Sequence, residues 1–154
     1  MDPQLAKLLE LSGFRLPAEP PPEPLAGLLI ETAFLMAVAD DRLNPSELDL
    51  LAEAMAFVRG QPLSTRDFEA ALDRLNETRM RDGAEARLRV IAAGVSSAAD
   101  RERLMRFGVV MALCDRRVVP REHGTLFMLG RALGQRPDQV VPLIEEVRQA
   151  IEAG

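Results

Sequence analysis

The chain has no Trp and no Tyr, one Cys and one His in 154 residues, and only six Phe. Each shortage removes something. A lone cysteine, Cys114, permits neither an internal disulfide nor a four-cysteine zinc site, and it fits a reducing compartment. A lone histidine, His123, needs a nucleophile or a partner acid in a defined cleft before it could catalyse anything. Aromatics at 4% beside 47% hydrophobic residues, rich in Ala and Leu, disfavour a β-sandwich and favour packed helices. Long apolar runs are missing too. The longest, LAGLLIETAFLMAVA at 25–39, is interrupted by Glu31 and falls short of the roughly 20 residues that cross a bilayer. The opening MDPQLAKLLE has an acid at position 2 and none of the basic n-region of a signal peptide. The expectation is a cytoplasmic protein with no direct membrane insertion.

Positive charge is scarce in the first part of the chain. Residues 1–60 hold four Lys/Arg against ten Asp/Glu, a net of -6 within a formal total of -5, so residues 61–154 are nearly balanced. No basic stripe interleaved with aromatics is present, and nucleic acid is set aside as a partner. Nothing resembles a phosphate loop, a dinucleotide fingerprint or a nucleophile elbow.

What is present is helical periodicity. DPQLAKLLELSG places Leu5, Leu8 and Leu9 on one face and stops at Gly13. PAEPPPEP at 17–24 then forms a stiff connector, a spacer that lets the first helix fold back on the body. This divides the chain into an N-terminal helix and connector, 1–24, and a helical domain, 25–154. Apolar positions recur with helical spacing over 25–39, 46–59, 65–81, 84–97, 101–114, 121–134 and 138–152. The predicted fold is all-α, a compact bundle of seven to eight helices.

A shift of 75 residues lays Met36 on Met111, Asp40 on Asp115, Pro45 on Pro120, Glu47 on Glu122, Leu51 on Leu126 and Pro62 on Pro137. Such register predicts a duplicated three-helix unit with 84–97 as the unmatched connector. The repeated element is VADDRLNPSEL, returning as LCDRRVVPREH. Its second half reads as a capping box: Asn44 as N-cap, Pro45 at N1, Glu47 at N3. Its first half does not, because Asp40 and Asp115 each end a helix, where exposed carbonyls make a carboxylate unfavourable by roughly 0.3–1 kcal/mol. A hard divalent cation, calcium or magnesium, would offset that cost, taking Asp40, Asp41 and Glu47 as oxygen ligands in the first loop and Asp115 and Glu122 in the second. The neighbouring Arg42, Arg116 and Arg117 are the competing source of positive charge.

An apolar helix ending in Ala-Asp, a short loop with Pro, and a Glu opening the next helix, present twice as MAVADDRLNPSELDLLAEAM and MALCDRRVVPREHGTLFML, resembles the TerB-like tellurite-resistance domain. That resemblance covers 25–152. It implies an all-α bundle of about seven helices, a link to bacterial stress or tellurite resistance, and divalent-cation binding by Asp40 and Glu47, with Asp115 and Glu122 as the second pair. It implies no enzymatic activity. The family usually has Gly after the Asp, where this chain has Asp41 and Arg116, so a left-handed turn there is costlier.

Three functions follow in order. The first is a non-catalytic binding domain with a divalent-cation site. The second is a metal-free, co-chaperone-like interaction module whose acids are caps and Arg partners. The third is a metal-dependent hydrolase. A protein partner is expected, and self-association stays open. A softer zinc set of Cys114, Asp115, Glu122 and His123 is weaker, because Cys114 aligns with Ala39 and reads as a small core residue. Gly94, Gly108 and Gly130 are expected inside helices at close contacts, and Arg79, Arg81, Arg87 and Arg89 on a solvated face.

Overall fold

Eight helices build the described part of the chain in the computed structural model, which covers residues 3–11, 13–14, 19–39, 43–114 and 120–153, without the side chains of 3, 4 and 120–123. They are α1 Pro3–Leu11, α2 Leu25–Ala37, α3 Pro45–Arg59, α4 Thr65–Asp82, α5 Ala84–Ala93, α6 Ala98–Leu113, α7 Pro120–Ala132 and α8 Pro137–Ala153. No strand occurs among the described residues, as the periodicity predicts.

Local chemistry sets the boundaries. Gly13 at φ 84° ends α1: Phe14 N donates to Leu9 O at 2.9 Å, a six-to-one closure that turns the Phe14 ring inward. Ser64 accepts from Asp67 N and Ser97 from Asp100 N, both at 3.1 Å, so α4 and α6 start on serine caps. Gly60 at φ 77° and Gly134 at φ 83° close α3 and α7 in the left-handed region that a Cβ would disfavour. The segment expected as one helix over 84–97 ends at Ala93, since Ser97 caps the next helix. Gly94 is therefore a terminus of α5, whereas Gly108 and Gly130 do lie inside helices.

Two helices carry the centre. In α2, Leu29 through Met36 are all buried, and in α6 so are Leu104, Met105 and Phe107 through Leu113. A helical segment apolar all round, as 107–113 is and as 29–36 is apart from Glu31 and Thr32, has no face to offer water and must be enclosed. They pack on each other, with α3 on α2, α7 and α8 on α6, and α5 against α2 and α7. Their close approach is at Gly108, where an added Cβ would stand 3.4 Å from Thr32 Cγ2 and 3.0 Å from Leu129 Cδ2. Gly108 lies 75 residues after Ala33, itself fully buried beside Thr32, so the two central helices meet at matched positions of the repeat.

The N-terminal helix joins the same core through Leu5 and Leu9, with the Phe14 ring centred 5.2 Å from that of Phe107 and 6.1 Å from that of Phe57, tilted to both. Glu23 pins the connector: one carboxylate oxygen accepts from Gly27 N at 3.1 Å and the other from Arg59 Nη1 at 2.5 Å.

The third helices of the repeat differ. Val140, Ile144 and Val147 of α8 are buried, while α4 buries no residue fully and rests Phe68, Ala71, Leu72 and Leu75 half-covered on the body.

Candidate functional site

The first repeated loop joins α2 to α3, and the second joins α6 to α7, so the two motifs occupy equivalent helix junctions. Asp40 and Asp41 lie outside the described residues, as does Asp115. Glu122 falls in the first turn of α7, and its side chain, like that of His123, is outside the description. Glu47 is the described member of the set.

Its geometry is that of a side-chain N-cap whose return bond comes from the Asn44 amide group rather than from its backbone N–H. Asn44 Oδ1 accepts from Glu47 N at 2.8 Å, and Asn44 Nδ2 donates back to Glu47 Oε1 at 2.5 Å. Ser46 Oγ donates to the same Asn44 oxygen at 2.7 Å. Glu47 is only 9% exposed, so the N-terminus of α3 carries a buried, oriented carboxylate where the helix dipole favours one. Beside this junction a cleft of about 260 Å³ is bounded by Val38 and Leu43 and walled by Asp73, Asn76 and Arg79 of α4. Oxygen donors and a guanidinium thus both face the loop's neighbourhood. Among the described residues no group of three or more His, Cys, Asp or Glu is arranged to hold a metal ion.

A second carboxylate is buried in α2. Glu31, 8% exposed, receives both arms of Arg87 from α5: Nε to Oε2 at 2.7 Å and Nη2 to Oε1 at 2.9 Å. Arg87 also donates from Nη1 to Asp82 Oδ2 at 3.2 Å, while Arg81 Nε reaches Asp82 Oδ1 at 2.9 Å. The hydrogen bonds it donates to Glu31 hold the Arg87 guanidinium above its ordinary value, against the opposing effect of burial. Arg81, hydrogen-bonded to the Asp82 carboxyl, leads the effects that hold that group below the usual carboxylate range. This corrects the expectation for the Arg series: Arg87, with 17% of its side chain exposed, is an internal ion-pair partner, whereas Arg81 and Arg89 are exposed as expected. The signal was there in Glu31, a charge in an apolar run that demanded a cation.

Arg101 is the other side chain that the sequence reading passed over. Its guanidinium donates to Val95 O at 2.7 Å, Leu133 O at 3.0 Å and Ala92 O at 3.3 Å, joining the carbonyl ends of α5 and α7. Three carbonyls from two helix termini converge on one cation, which suits the negative end of each dipole.

Cys114 ends α6, half-buried against the core, its sulfur 3.7 Å from Met111 O. No helix among the described residues is long and apolar enough to cross a membrane. Comparison of the chain with protein-family models, with curated proteins and with solved structures gives no match.

Proposed function

We propose that this chain is a non-catalytic, TerB-like binding domain of the stress-associated type, whose α2–α3 junction takes a calcium or magnesium ion through Asp40, Asp41 and Glu47, with Asp115 and Glu122 as the corresponding acids at the α6–α7 junction. The observation that carries this reading is Glu47: a carboxylate kept buried and fixed in direction beside an acidic loop, its position repeated 75 residues later as Glu122. An ion there would tie the end of α2 to the start of α3 and hold the surface between them for a protein partner. The cleft wall of Asp73 and Asn76 supplies further oxygen chemistry of the kind such an ion prefers.

The test is thermal unfolding of chelator-treated protein with and without millimolar calcium or magnesium, beside an Asp40→Asn, Asp41→Asn variant. A site confined to the folded state adds about 2.7 kcal/mol at a hundredfold excess of ion over its dissociation constant. The parent should gain stability and the variant should not. Equal midpoints with and without ion in the parent would remove the cation from the proposal.

A metal-free interaction module is the second reading, and one observation favours it. Asn44 Nδ2 already engages Glu47 Oε1 at 2.5 Å, so the cap alone accounts for that oxygen. In this reading chelation changes nothing, and the junctions serve only to order the helices that a partner touches.

A further inference from the structure

The repeat relates spaces as well as helices. A cleft of about 410 Å³ between α2, α3 and α4 is lined in part by Gly27, Ile30, Glu31, Asp67 and Ala71. Moved on by 75 residues, these positions are Glu102, Met105, Arg106, Pro142 and Glu146, and all of them line a second cleft of about 530 Å³ between α6 and α8. Periodicity alone would not have revealed the pair.

Their chemistry differs in a way that leaves the first cleft open. In the second, Arg106 donates to Glu102 at 3.3 Å and to Glu146 at 3.2 Å, so a cation and two acids satisfy one another. At the places of the two acids the first cleft has Gly27 and Ala71, which bring neither charge nor bulk, and at the place of Arg106 it has Glu31, which is itself paired with Arg87. The first cleft has three guanidiniums on its walls, Arg59, Arg74 and Arg87, against the two carboxylates of Glu31 and Asp67. Arg59 is engaged by Glu23, and Arg87 by Glu31 and Asp82. The Arg74 guanidinium has no ion-pair or hydrogen-bond partner among the described residues. It stands two turns beyond Asp67 on the same face of α4, about 10 Å along the axis. Between them Ile30, Met55, Leu63 and Leu75 make an apolar lining, and Ala70 and Ala71 keep the α4 wall low. Apolar and small residues thus share the lining with five charged side chains and Thr78, in a volume within the range of about 300–1,000 Å³ usual for a small-molecule site.

We propose that this cleft binds a small apolar molecule ending in one carboxylate, an alkyl carboxylic acid of medium length. The carboxylate meets Arg74, and the alkyl chain lies against Ile30, Met55 and Leu75. Asp67 at the far end repels a second anionic group, so a dicarboxylate of the same length is rejected. The cleft shares no lining residue with the one at the α2–α3 junction, and the proposal does not depend on a cation there.

The experiment is calorimetric titration of the full chain with octanoate, with neutral octanamide and with suberate, repeated on Arg74→Glu, Arg74→Gln and Ala71→Leu. Arg74 is exposed and Ala71 half-covered, so folding of each variant is checked by its circular-dichroism midpoint. Octanoate should bind saturably in the parent, about tenfold tighter than octanamide, as a charge-assisted contact allows. Arg74→Glu and Arg74→Gln should erase that preference, and Ala71→Leu, by filling the cleft, should weaken both ligands. Suberate should bind less well than octanoate. Absence of saturable octanoate binding at millimolar concentration, equal affinity for octanoate and octanamide, or undiminished binding to Ala71→Leu would each overturn the proposal.

Discussion

Arg87 and Glu31, 56 positions apart in the chain, face each other through two parallel hydrogen bonds of 2.7 and 2.9 Å. The pair fastens α5 to the otherwise apolar α2. With 17% and 10% of the two side chains exposed, water screens neither well. Arg87→Ala strands a buried carboxylate and should cost about 3 kcal/mol in urea unfolding, whereas the double change Glu31→Met, Arg87→Met, which removes both charges and keeps volume, should cost much less. A double-mutant cycle on the two positions measures the difference.

Arg101 should be equally hard to replace. Arg101→Ala leaves the carbonyls of Val95, Leu133 and Ala92 without their shared donor, at about 2 kcal/mol in the denaturant midpoint. Arg101→Lys should recover only part of this, because an ammonium lacks the planar fork that reaches two helix ends at once. Amide exchange at the ends of α5 and α7 should quicken in both variants.

Two glycines of one helix should respond with opposite signs. A Cβ at Gly130 would sit 2.6 Å from Val140 Cγ2, so Gly130→Ala pushes α7 off α8 and should destabilise by about 1–3 kcal/mol. At Gly124 nothing lies within 4 Å of the added carbon, and Gly124→Ala should stabilise by about 0.5–1 kcal/mol through reduced freedom of the unfolded chain. Thermal midpoints of the two variants decide it.

Asp82 gives the pH signature. Arg81 and then Arg87 hold its folded value below that of the unfolded chain, so its contribution is present above the unfolded value and is lost as pH falls through the folded one. The stability gap between parent and Asp82→Asn should therefore be constant near neutrality and close on acidification. Urea midpoints from pH 6 downward, at about half-unit steps, follow it.

Helix positions were legible because their signals are local. Gly13, Asn44 and Pro45 each act within a turn of where they stand, and no tertiary knowledge is needed to place a cap. The 75-residue register was legible for the same reason, as it needs only the spacing of Met36, Pro45 and Leu51 against their later counterparts. The partners of Glu31 and Arg101 were not, since each depends on which helices become neighbours after collapse. For the junction acids, sequence supplied the spacing and the structure supplied one member, Glu47, whose carboxylate turned out to be held by Asn44.

The enclosure of α2 and α6 bears on how the duplicated chain behaves as a material object. Each half contributes one helix with a stretch enclosed on every side, 29–36 in α2 and 107–113 in α6, and the two helices pack against each other across the halves. A unit cut free at Gly83 would present that packing face to water, so the halves are not modules that can be lent separately to other proteins. The two copies should therefore act as an obligate pair within one chain, expected to melt in a single transition and to reassemble only from both fragments together.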